Sequence, residues 1–465
     1  MTPPGPPQPN ARIRLMAWLR GQSWLRGAYR ALPGVVRERG LRLLTRRLQA
    51  KTRFPRTPAW DVVPPNTDAR LTSSTAPSSA CSGVNIIGYI HGQFGLAEAA
   101  RSYARALIRD GVPVALVDVD LGLPHTRDDH TFDAWLNSAA PNAVSIIFVN
   151  PDYLAQALDS IGEARRQGRY LIACWFWELE NVPERWLPAL ALVDEVLVAT
   201  TFVERAVRRV SPNPVLHVPM PLGELHASGL QRADFGLPDD AFVFLVSFDF
   251  SSLMARKNPE AALRAFRQAF PPERSNVRLL VKSSNGYRFP HLLQHLLQLG
   301  QGDDRILIRD EVIAREHLNA LHRCCDVYVS LHRAEGFGMG MAESMAIGKP
   351  VIATAWSGNM EFMDHDCAAL VDYTLVPVGA GQYPGGEGQR WADADIEQAA
   401  GWMRRLADDP VFARELGQRA RKKVEITLSG TSAARRIVAR IKEIEAARDH
   451  TRDLLKEHED GTLRD

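Results

Sequence analysis

Short apolar runs alternate with longer amphipathic stretches from residue 83 onward. The first runs are VNIIGYI, VALVDVD, VSIIFVN, LIACWFW, EVLVAT and VLHVPM. The stretches between them have the apolar spacing of helices, as in LAEAARSYARALIRDG and FVERAVRRV. Continuous apolar strands that alternate with helices are typical of a parallel sheet covered on both faces. We therefore predict a doubly wound α/β domain at residues 83–230.

The same pattern starts again near residue 241, after the polar hinge GELHASGLQRADFGLPDD. The second set of runs is FVFLVSF, VRLLVKSS, RILIRD, DVYVSL, PVIAT and AALVDY. This set predicts a second domain at residues 231–428, followed by a charged C-terminal helix at 429–465. Two consecutive units of this kind indicate two Rossmann-like domains that face each other across a cleft. Ligands of such domains bind outside the carboxyl ends of the strands.

Residues 1–82 show neither pattern and are predicted to form a basic arm followed by a linker. Residues 11–53 contain twelve basic residues and one acidic residue, whereas the whole chain has a net charge of only +2. The apolar positions of this segment form one helical stripe, made of Leu15, Trp18, Leu25, Tyr29, Leu32 and Val36. A basic amphipathic helix is typical of attachment to an anionic membrane surface, although packing on the protein's own body would give the same pattern. Residues 53–82 are rich in Pro, Ser and Thr and predict the linker.

The remaining bulk features favour a cytoplasmic protein, with the arm allowing attachment at the inner face of the membrane. The chain has five cysteines and no CxxC pair, which fits free thiols in a reducing compartment. No apolar run approaches the roughly 20 residues of a membrane-spanning helix, and the N-terminus lacks the apolar core of a signal peptide. We expect no nucleic-acid partner.

The stretch HRAEGFGMGMAESMAIGKPVIAT carries the strongest candidate chemistry. Its two carboxylates, Glu335 and Glu343, lie on either side of the turn Gly338-Met339-Gly340, after a predicted strand and before a predicted helix. A helix N-terminus that follows glycines offers free N–H groups to a diphosphate. Carboxylates accept hydrogen bonds from paired sugar hydroxyls. We therefore predict that the turn binds phosphate, while the two glutamates bind a sugar and a ribose.

Candidate cations lie near the carboxyl ends of two other strands in the second domain. Arg256 and Lys257 are adjacent in a loop between a strand and a helix, where they could neutralise a diphosphate, or equally form a solvated pair. Lys282 ends the run VRLLVK and is a third candidate for the donor site.

The segment EGFGMGMAESMAIGKPVIAT, followed by SGNMEFM, resembles the Glu-x7-Glu signature of the retaining nucleotide-sugar glycosyltransferases of group 1, which have the GT-B fold. The resemblance extends over residues 83–425 and includes ARKNP, WFWELENVPERW and the closing helical segment WADADIEQAAGWMRRLADDP. It implies that Arg256 and Lys257 bind the donor pyrophosphate, that Glu335 holds the sugar and that Glu343 holds the ribose. It also implies a donor site that needs no metal, so we expect no cofactor.

In the first domain, the resemblance points to the turn HGQFG and to the end of the run LIACWFW. The turn does not match GxGxxG, so a dinucleotide site has weak support. Its family equivalent faces the donor phosphate and the acceptor, which makes Gly95 the best candidate there and Glu98 a secondary one. Glu178 is a candidate acceptor-binding or catalytic residue. The family often has a histidine in that neighbourhood, where this chain has Trp177-Glu178.

Two polar groups are weaker candidates for metal ligands. Asp118 and Asp120 form a DxD, which strand alternation alone explains. A nearby loop contains His125, Asp128, Asp129 and His130, and we favour a solvated loop over a metal site. No metal is expected at either place.

Together with these features, the resemblance implies a retaining hexosyltransferase. It would move a sugar from a nucleoside diphosphate sugar to a glycan, lipid-linked or polysaccharide acceptor. Two alternatives stay open: a phosphorylase or epimerase of the same fold, and a non-catalytic sugar-binding subunit at the membrane. The sequence does not identify the donor base, the sugar or the acceptor.

Overall fold

The computed structural model describes residues 39–41, 45–46, 49–62, 83–123, 125–137 and 139–462, the last eleven of these as helical backbone alone. The amphipathic helix predicted for the arm falls mostly at residues 1–38 and so lies outside the described residues. Within the described ranges, no helix combines the length and the apolar character needed to cross a bilayer.

The first domain is built on a six-stranded parallel sheet with the strand order β2-β1-β3-β4-β5-β6. All six predicted apolar runs form its strands. These are β1 (Val84–Gly88), β2 (Val114–Asp118), β3 (Val144–Phe148), β4 (Tyr170–Trp175), β5 (Glu195–Val198) and β6 (Val215–His217). The helices between them include α1 (Gly95–Arg109), α2 (Pro151–Ile161) and α3 (Thr201–Arg208).

The second domain repeats this plan in a parallel sheet with the order β12-β11-β10-β7-β8-β9. Its strands are β7 (Phe242–Asp249), β8 (Val277–Ser284), β9 (Ile306–Asp310), β10 (Val327–Ser330), β11 (Val351–Thr354) and β12 (Ala369–Val371). Its helices are α4 (Met254–Lys257), α5 (Pro259–Ala269), α6 (Pro290–Gly300), α7 (Arg315–Cys324), α8 (Met339–Ala346), α9 (Ile396–Asp408) and α10 (Pro410–Thr427). The prediction of two Rossmann-like domains is confirmed.

An antiparallel hairpin of β13 (Tyr373–Pro377) and β14 (Arg390–Ala394) follows the second sheet and was not predicted. The letters WADA, which we assigned to a helical segment, belong to β14. The helix begins only after Asp395, whose side chain accepts hydrogen bonds from the backbone N–H groups of Glu397 and Gln398. This N-cap fixes the start of α9 at residue 396.

The C-terminal helix α11 (Gly430–Thr462) returns to the first domain and packs on α1. Its apolar side chains at residues 437, 441 and 444 are buried, and Arg440 Nε lies 3.0 Å from Glu195 Oε2. The chain leaves the first domain and returns to it at neighbouring points. There, the backbone N–H of Leu222 donates to the carbonyl of Leu428 at 3.1 Å. The first domain is therefore completed by the last helix of the chain.

Residues 54–62, predicted as part of a linker, instead pack on the second domain. Phe54 is only 3% exposed, and its ring meets that of Phe235 edge to face at 5.6 Å. Trp60 Nε1 donates to the carbonyl of Asp234, and the backbone N–H of Phe54 donates to Glu311. The proline-rich composition suggested a linker, but two aromatic side chains supply enough apolar surface to fix this segment in place.

Candidate active site

A cavity of about 490 Å³ lies between the two domains. From the first domain it is lined by residues that follow the carboxyl ends of β1, β3 and β4. From the second domain, residues that follow β7 and β10 complete it, and the loop of the hairpin covers one side. This is the position predicted for a ligand site in a doubly wound fold.

The centre of the cavity is a buried ion cluster around Glu335. Arg256 Nη1 lies 3.1 Å from Glu335 Oε2, and the ammonium of Lys257 donates to Oε1 of the same carboxylate. Both cations belong to the short helix α4. Asn258 ends this helix with a φ of +50° and donates its side-chain amide to the carbonyl of Leu331, just after β10. That bond holds the cationic turn against the loop that carries Glu335.

Opposing effects set the protonation of this cluster. Burial alone would raise the pKa of Glu335, but the charges of Lys257 and Arg256 outweigh it and lower the pKa to about 2. Burial lowers the pKa of Lys257 against the opposing charge of Glu335. For Arg256, burial is outweighed by the neighbouring carboxylates and the pKa is raised. Glu335 is therefore ionised at neutral pH and acts as an acceptor of hydrogen bonds.

Arg256 and Lys257 differ in how many of their hydrogen-bond donors are used by other residues of the protein. The guanidinium of Arg256 also donates to the carbonyls of Ala334 and Ser252, and its Nη2 lies 3.7 Å from Glu178 Oε1. The ammonium group of Lys257 has three N–H donors. Among the described residues, its one hydrogen-bond partner is Glu335. Lys257 thus retains donors for a ligand, whereas most donors of Arg256 already face carboxylates and carbonyls of the protein.

Glu178 belongs to the first domain but is contacted by side chains of the second. It follows β4 of the first domain, and the hydroxyl of Tyr383, in the hairpin loop of the second domain, donates to its Oε2. The Tyr383 ring also packs edge to face on Trp177 at 5.4 Å. Burial, and then the charge of Glu178, raise the pKa of Tyr383 well above its usual value. We did not predict Tyr383, because the loop GAGQYPGGEGQ shows no periodic pattern that would single it out.

Glycines shape the turn after Glu335 for separate steric reasons. Gly338 has a φ of +98° at the start of α8, a conformation that favours glycine. A Cβ on Gly340 would lie 2.5 Å from the hydroxyl oxygen of Tyr328. Gly338 and Met339 line the cavity, so the first turn of α8 faces it as predicted. The predicted C-cap is also present, since Gly348 has a φ of +77° and donates to the carbonyl of Met345.

Glu343 lies in a smaller cavity of about 100 Å³ that adjoins the first, since Met220 and Met339 line both. Its carboxylate pairs with Arg315 of α7, which we did not predict. Burial raises the pKa of Glu343 despite this partner. Glu98 of α1 lines the same space, so this secondary candidate lies nearer to Glu343 than to Glu335.

The other predicted donor-site residues divide between the cavity and the sheet. Gly95 lines the main cavity. Lys282 lines neither cavity and is buried in β8, with Asp249 and Asp310 as its nearest charges. The run VRLLVK suggested that the strand ended at this lysine, but β8 continues to Ser284. Its side chain is buried, and burial lowers its pKa.

The weaker metal candidates have protein partners. Asp118 and Asp120 both pair with Arg127, and Asp129 lies 3.2 Å from the guanidinium of Arg101. His125 stacks on Phe94 at 4.1 Å. The DxD is thus held by an arginine, and the loop residues do not converge as one set.

Comparisons with known proteins agree with this architecture. Residues 247–381 match the family described as Glycosyl transferases group 1. A D-inositol 3-phosphate glycosyltransferase from Kineococcus radiotolerans is 28% identical over 201 residues, which are 42% of this chain and 42% of that protein. The matched part thus spans less than half of this curated relative.

Two solved structures share the fold. Sucrose-phosphate synthase from Thermosynechococcus elongatus superposes with a TM-score of 0.58 at 18% identity, over 78% of this chain and 100% of that one. Anabaena HepE, solved in complex with UDP and glucose, gives a TM-score of 0.56 at 15% identity over the same shares. The second domain thus matches the group 1 glycosyltransferase family over residues 247–381, and the chain shares with these structures the GT-B fold of two Rossmann-like domains.

Proposed function

We propose that this protein is a retaining glycosyltransferase that moves a sugar from a nucleoside diphosphate sugar to a glycan, lipid-linked or polysaccharide acceptor. The observation that carries the proposal is the buried cluster of Glu335 with Arg256 and Lys257, which faces Glu178 across the interdomain cavity. This arrangement provides an ionised carboxylate, a lysine with remaining donors and an open helix N-terminus around one space.

The donor would lie along the second domain, from the first turn of α8 to the smaller cavity. Its diphosphate would accept hydrogen bonds from Lys257 and from the backbone at Gly338 and Met339, in place of a metal ion. Its ribose would reach Glu343, and its sugar hydroxyls would reach Glu335. A buried ionised carboxylate can accept two hydroxyl donors, which suits both tasks.

The transfer step would proceed on the face of the sugar from which the diphosphate departs. The C1–O bond to the diphosphate breaks as the acceptor oxygen bonds to C1, and the departing phosphate oxygen takes the acceptor's proton. Negative charge grows on the leaving group, so Lys257 and the α8 N-terminus stabilise the transition state more than the ground state. Enclosure between the domains would keep water from competing with the acceptor.

The acceptor would enter from the first domain, beside Glu178. Phe176, Trp177 and Trp186 line that side of the cavity. Aromatic side chains of this kind pack against the apolar faces of sugar rings. The Tyr383 hydroxyl spans the cleft to Glu178, so this side is complete only when both domains are in contact.

A thermal-shift experiment with UDP, GDP, ADP, dTDP and CMP tests the donor site. We expect one nucleoside diphosphate to raise the Tm by several degrees without added magnesium, because ligand at 100 times its Kd stabilises the folded protein by about 2.7 kcal/mol. Differential scanning fluorimetry with and without magnesium measures this.

Glu343→Gln is the matched variant, since it keeps the size of the side chain and removes its charge. Loss of a charged hydrogen bond to the ribose should weaken binding of the same nucleotide roughly tenfold. A Tm that no nucleotide changes would instead favour a non-catalytic subunit. A requirement for magnesium would contradict the metal-free donor site.

For the arm, we propose contact with an anionic membrane surface, on the strength of the charge excess at residues 11–53. The full chain should sediment with vesicles that contain phosphatidylserine, and should be released as the salt concentration rises. A chain that lacks residues 1–38 loses the predicted amphipathic stripe and six of the twelve basic residues of 11–53, so it should bind the same vesicles more weakly. Equal binding to neutral vesicles, or binding that the deletion does not weaken, would contradict this role.

A further inference from the structure

A second polar cluster lies on the first domain, outside the residues that line the main cavity. It consists of His91, in the turn before α1, with His130 and Asp133 from the loop after β2. Nε2 of His91 lies 2.9 Å from one Asp133 oxygen, and Nδ1 of His130 lies 3.0 Å from the other. The three ligand atoms all lie within 4.8 Å of one another.

The hydrogen bonds of His91 determine which ring nitrogen is available. Its Nδ1 lies 3.0 Å from Asp118 Oδ2, and its backbone N–H donates to the other oxygen of Asp118. A neutral imidazole that donates from Nδ1 to Asp118 presents the lone pair of Nε2 to Asp133. Two acceptors then face each other at 2.9 Å, and a proton or a metal cation must lie between them. A carboxylate behind a histidine is the usual outer support of a metal ligand.

The backbone holds the turn and the loop together without help from this cluster. The N–H of Gln93 donates to the carbonyl of Thr126, and the N–H of Asp129 donates to the carbonyl of His91. An isolated bridge also joins Gly92 to Arg127. The ligand atoms are therefore already close before any ion binds, which reduces the entropy lost on binding.

The local charge favours a cation. Asp118 and Asp120 pair with Arg127, and Asp129 pairs with Arg101, whereas Asp133 contacts the two histidines. Within these contacts, four carboxylates therefore accompany two guanidinium groups. Two imidazoles and one carboxylate suit a divalent transition metal such as Zn²⁺ better than Mg²⁺ or Ca²⁺, which prefer oxygen ligands.

We propose that His91, His130 and Asp133 form a binding site for Zn²⁺, with Asp118 as the outer support of His91. The ion has three protein ligands and completes its tetrahedral coordination with water. It joins the loop to the turn that leads to Gly95, on the acceptor side of the cavity. The site does not depend on the proposed transfer reaction.

Titration of the EDTA-treated full chain with Zn²⁺ alone, against a fluorescent chelator, tests the site. We expect one Zn²⁺ per chain, with affinity reduced at least tenfold by His130→Ala and by Asp133→Asn. Both side chains are well exposed, so these variants should fold. His91→Ala should have the same effect. His125→Ala is the matched control, because its ring in the same loop stacks on Phe94, and it should leave the affinity unchanged.

X-ray absorption on the zinc-loaded protein supplies an independent measurement. We expect nitrogen and oxygen neighbours at about 2.0–2.1 Å with an imidazole signature. Zinc–sulfur distances of about 2.3 Å would assign the metal to the cysteines and overturn the proposal. So would wild-type affinity in His130→Ala and Asp133→Asn, or the absence of stoichiometric binding.

Discussion

Lys257→Ala should reduce kcat/KM for the cognate nucleotide sugar by about 10²–10³-fold. Removal of one preorganised donor to a developing negative charge costs about 2.7–4 kcal/mol in the transition state. Lys257 has donors left for the diphosphate, and its side chain is partly exposed to the cavity. The rate is measured as release of the nucleoside diphosphate that the thermal-shift experiment identifies, from its sugar-linked form. The sugar can be transferred to an acceptor or to water in this assay.

The equivalent change at Arg256 should have a different signature. This guanidinium is almost fully buried and contacts Glu335, Glu178 and two carbonyls. Its removal leaves the buried Glu335 carboxylate with less compensating charge, which is strongly destabilising in the way that broken buried ion pairs are. Arg256→Ala should therefore lower the Tm more than Lys257→Ala does, because only Arg256 also contacts Glu178 and two carbonyls.

Lys423→Ala is the control for the change at Lys257, because it removes the same atoms from a different lysine. Lys423 forms a partly exposed ion pair with Asp364. Exposed pairs contribute about 0–1 kcal/mol, so activity should stay near that of the unaltered protein. A Lys257→Ala enzyme with near wild-type turnover would remove the diphosphate role from this residue. The donor site would then have to rely on the α8 N-terminus alone.

The two sheets could be predicted because each strand is marked by an apolar pattern within its own short stretch of sequence. A parallel strand covered on both faces must be apolar at successive positions, and each of the twelve runs that we selected on this basis forms a strand. The turn at Gly338 was predicted for a similar reason, since glycines between a strand and a helix have few other uses. The same pattern predicted Glu335 in the loop after a strand and Glu343 in the helix that follows.

What could not be predicted depends on contacts between distant parts of the chain. Strands β13 and β14 are partly exposed, so they have no continuous apolar signature, and their loop delivers Tyr383 to a glutamate 205 residues away. Arg315 reaches Glu343 from an ordinary amphipathic helix. Helix α11 contains an apolar stripe, but no local feature shows that it packs on the first domain. Likewise, the sequence could not show that most donors of Arg256 face carboxylates and carbonyls of the protein.

Gly358→Ala should give the largest structural effect of a one-methyl change near the site. A Cβ at this position would lie 2.2 Å from the carbonyl oxygen of Gly336 and 2.8 Å from that of Glu335. These neighbours are backbone atoms, so they cannot rotate away as a flexible side chain would. Overpacking of this kind costs about 1–3 kcal/mol, and occasionally more. We expect a lower Tm and a loss of nucleotide-sugar turnover together.

Both effects should appear because the crowded backbone also positions the carboxylate. The N–H of Gly358 donates to the carbonyl of Glu335 at 2.8 Å, so a shift of the turn displaces the loop that carries Glu335. Gly401→Ala is the matched control. Gly401 lies within α9, and a Cβ added there would have Arg404 Nη2 at 4.0 Å as its nearest neighbour outside the backbone of the helix. Alanine at this position should raise the free energy of unfolding by about 1 kcal/mol, as expected for a helix interior. If Gly358→Ala kept both the Tm and the turnover, the turn would have room to relax, and close backbone packing could not be what holds Glu335 in place.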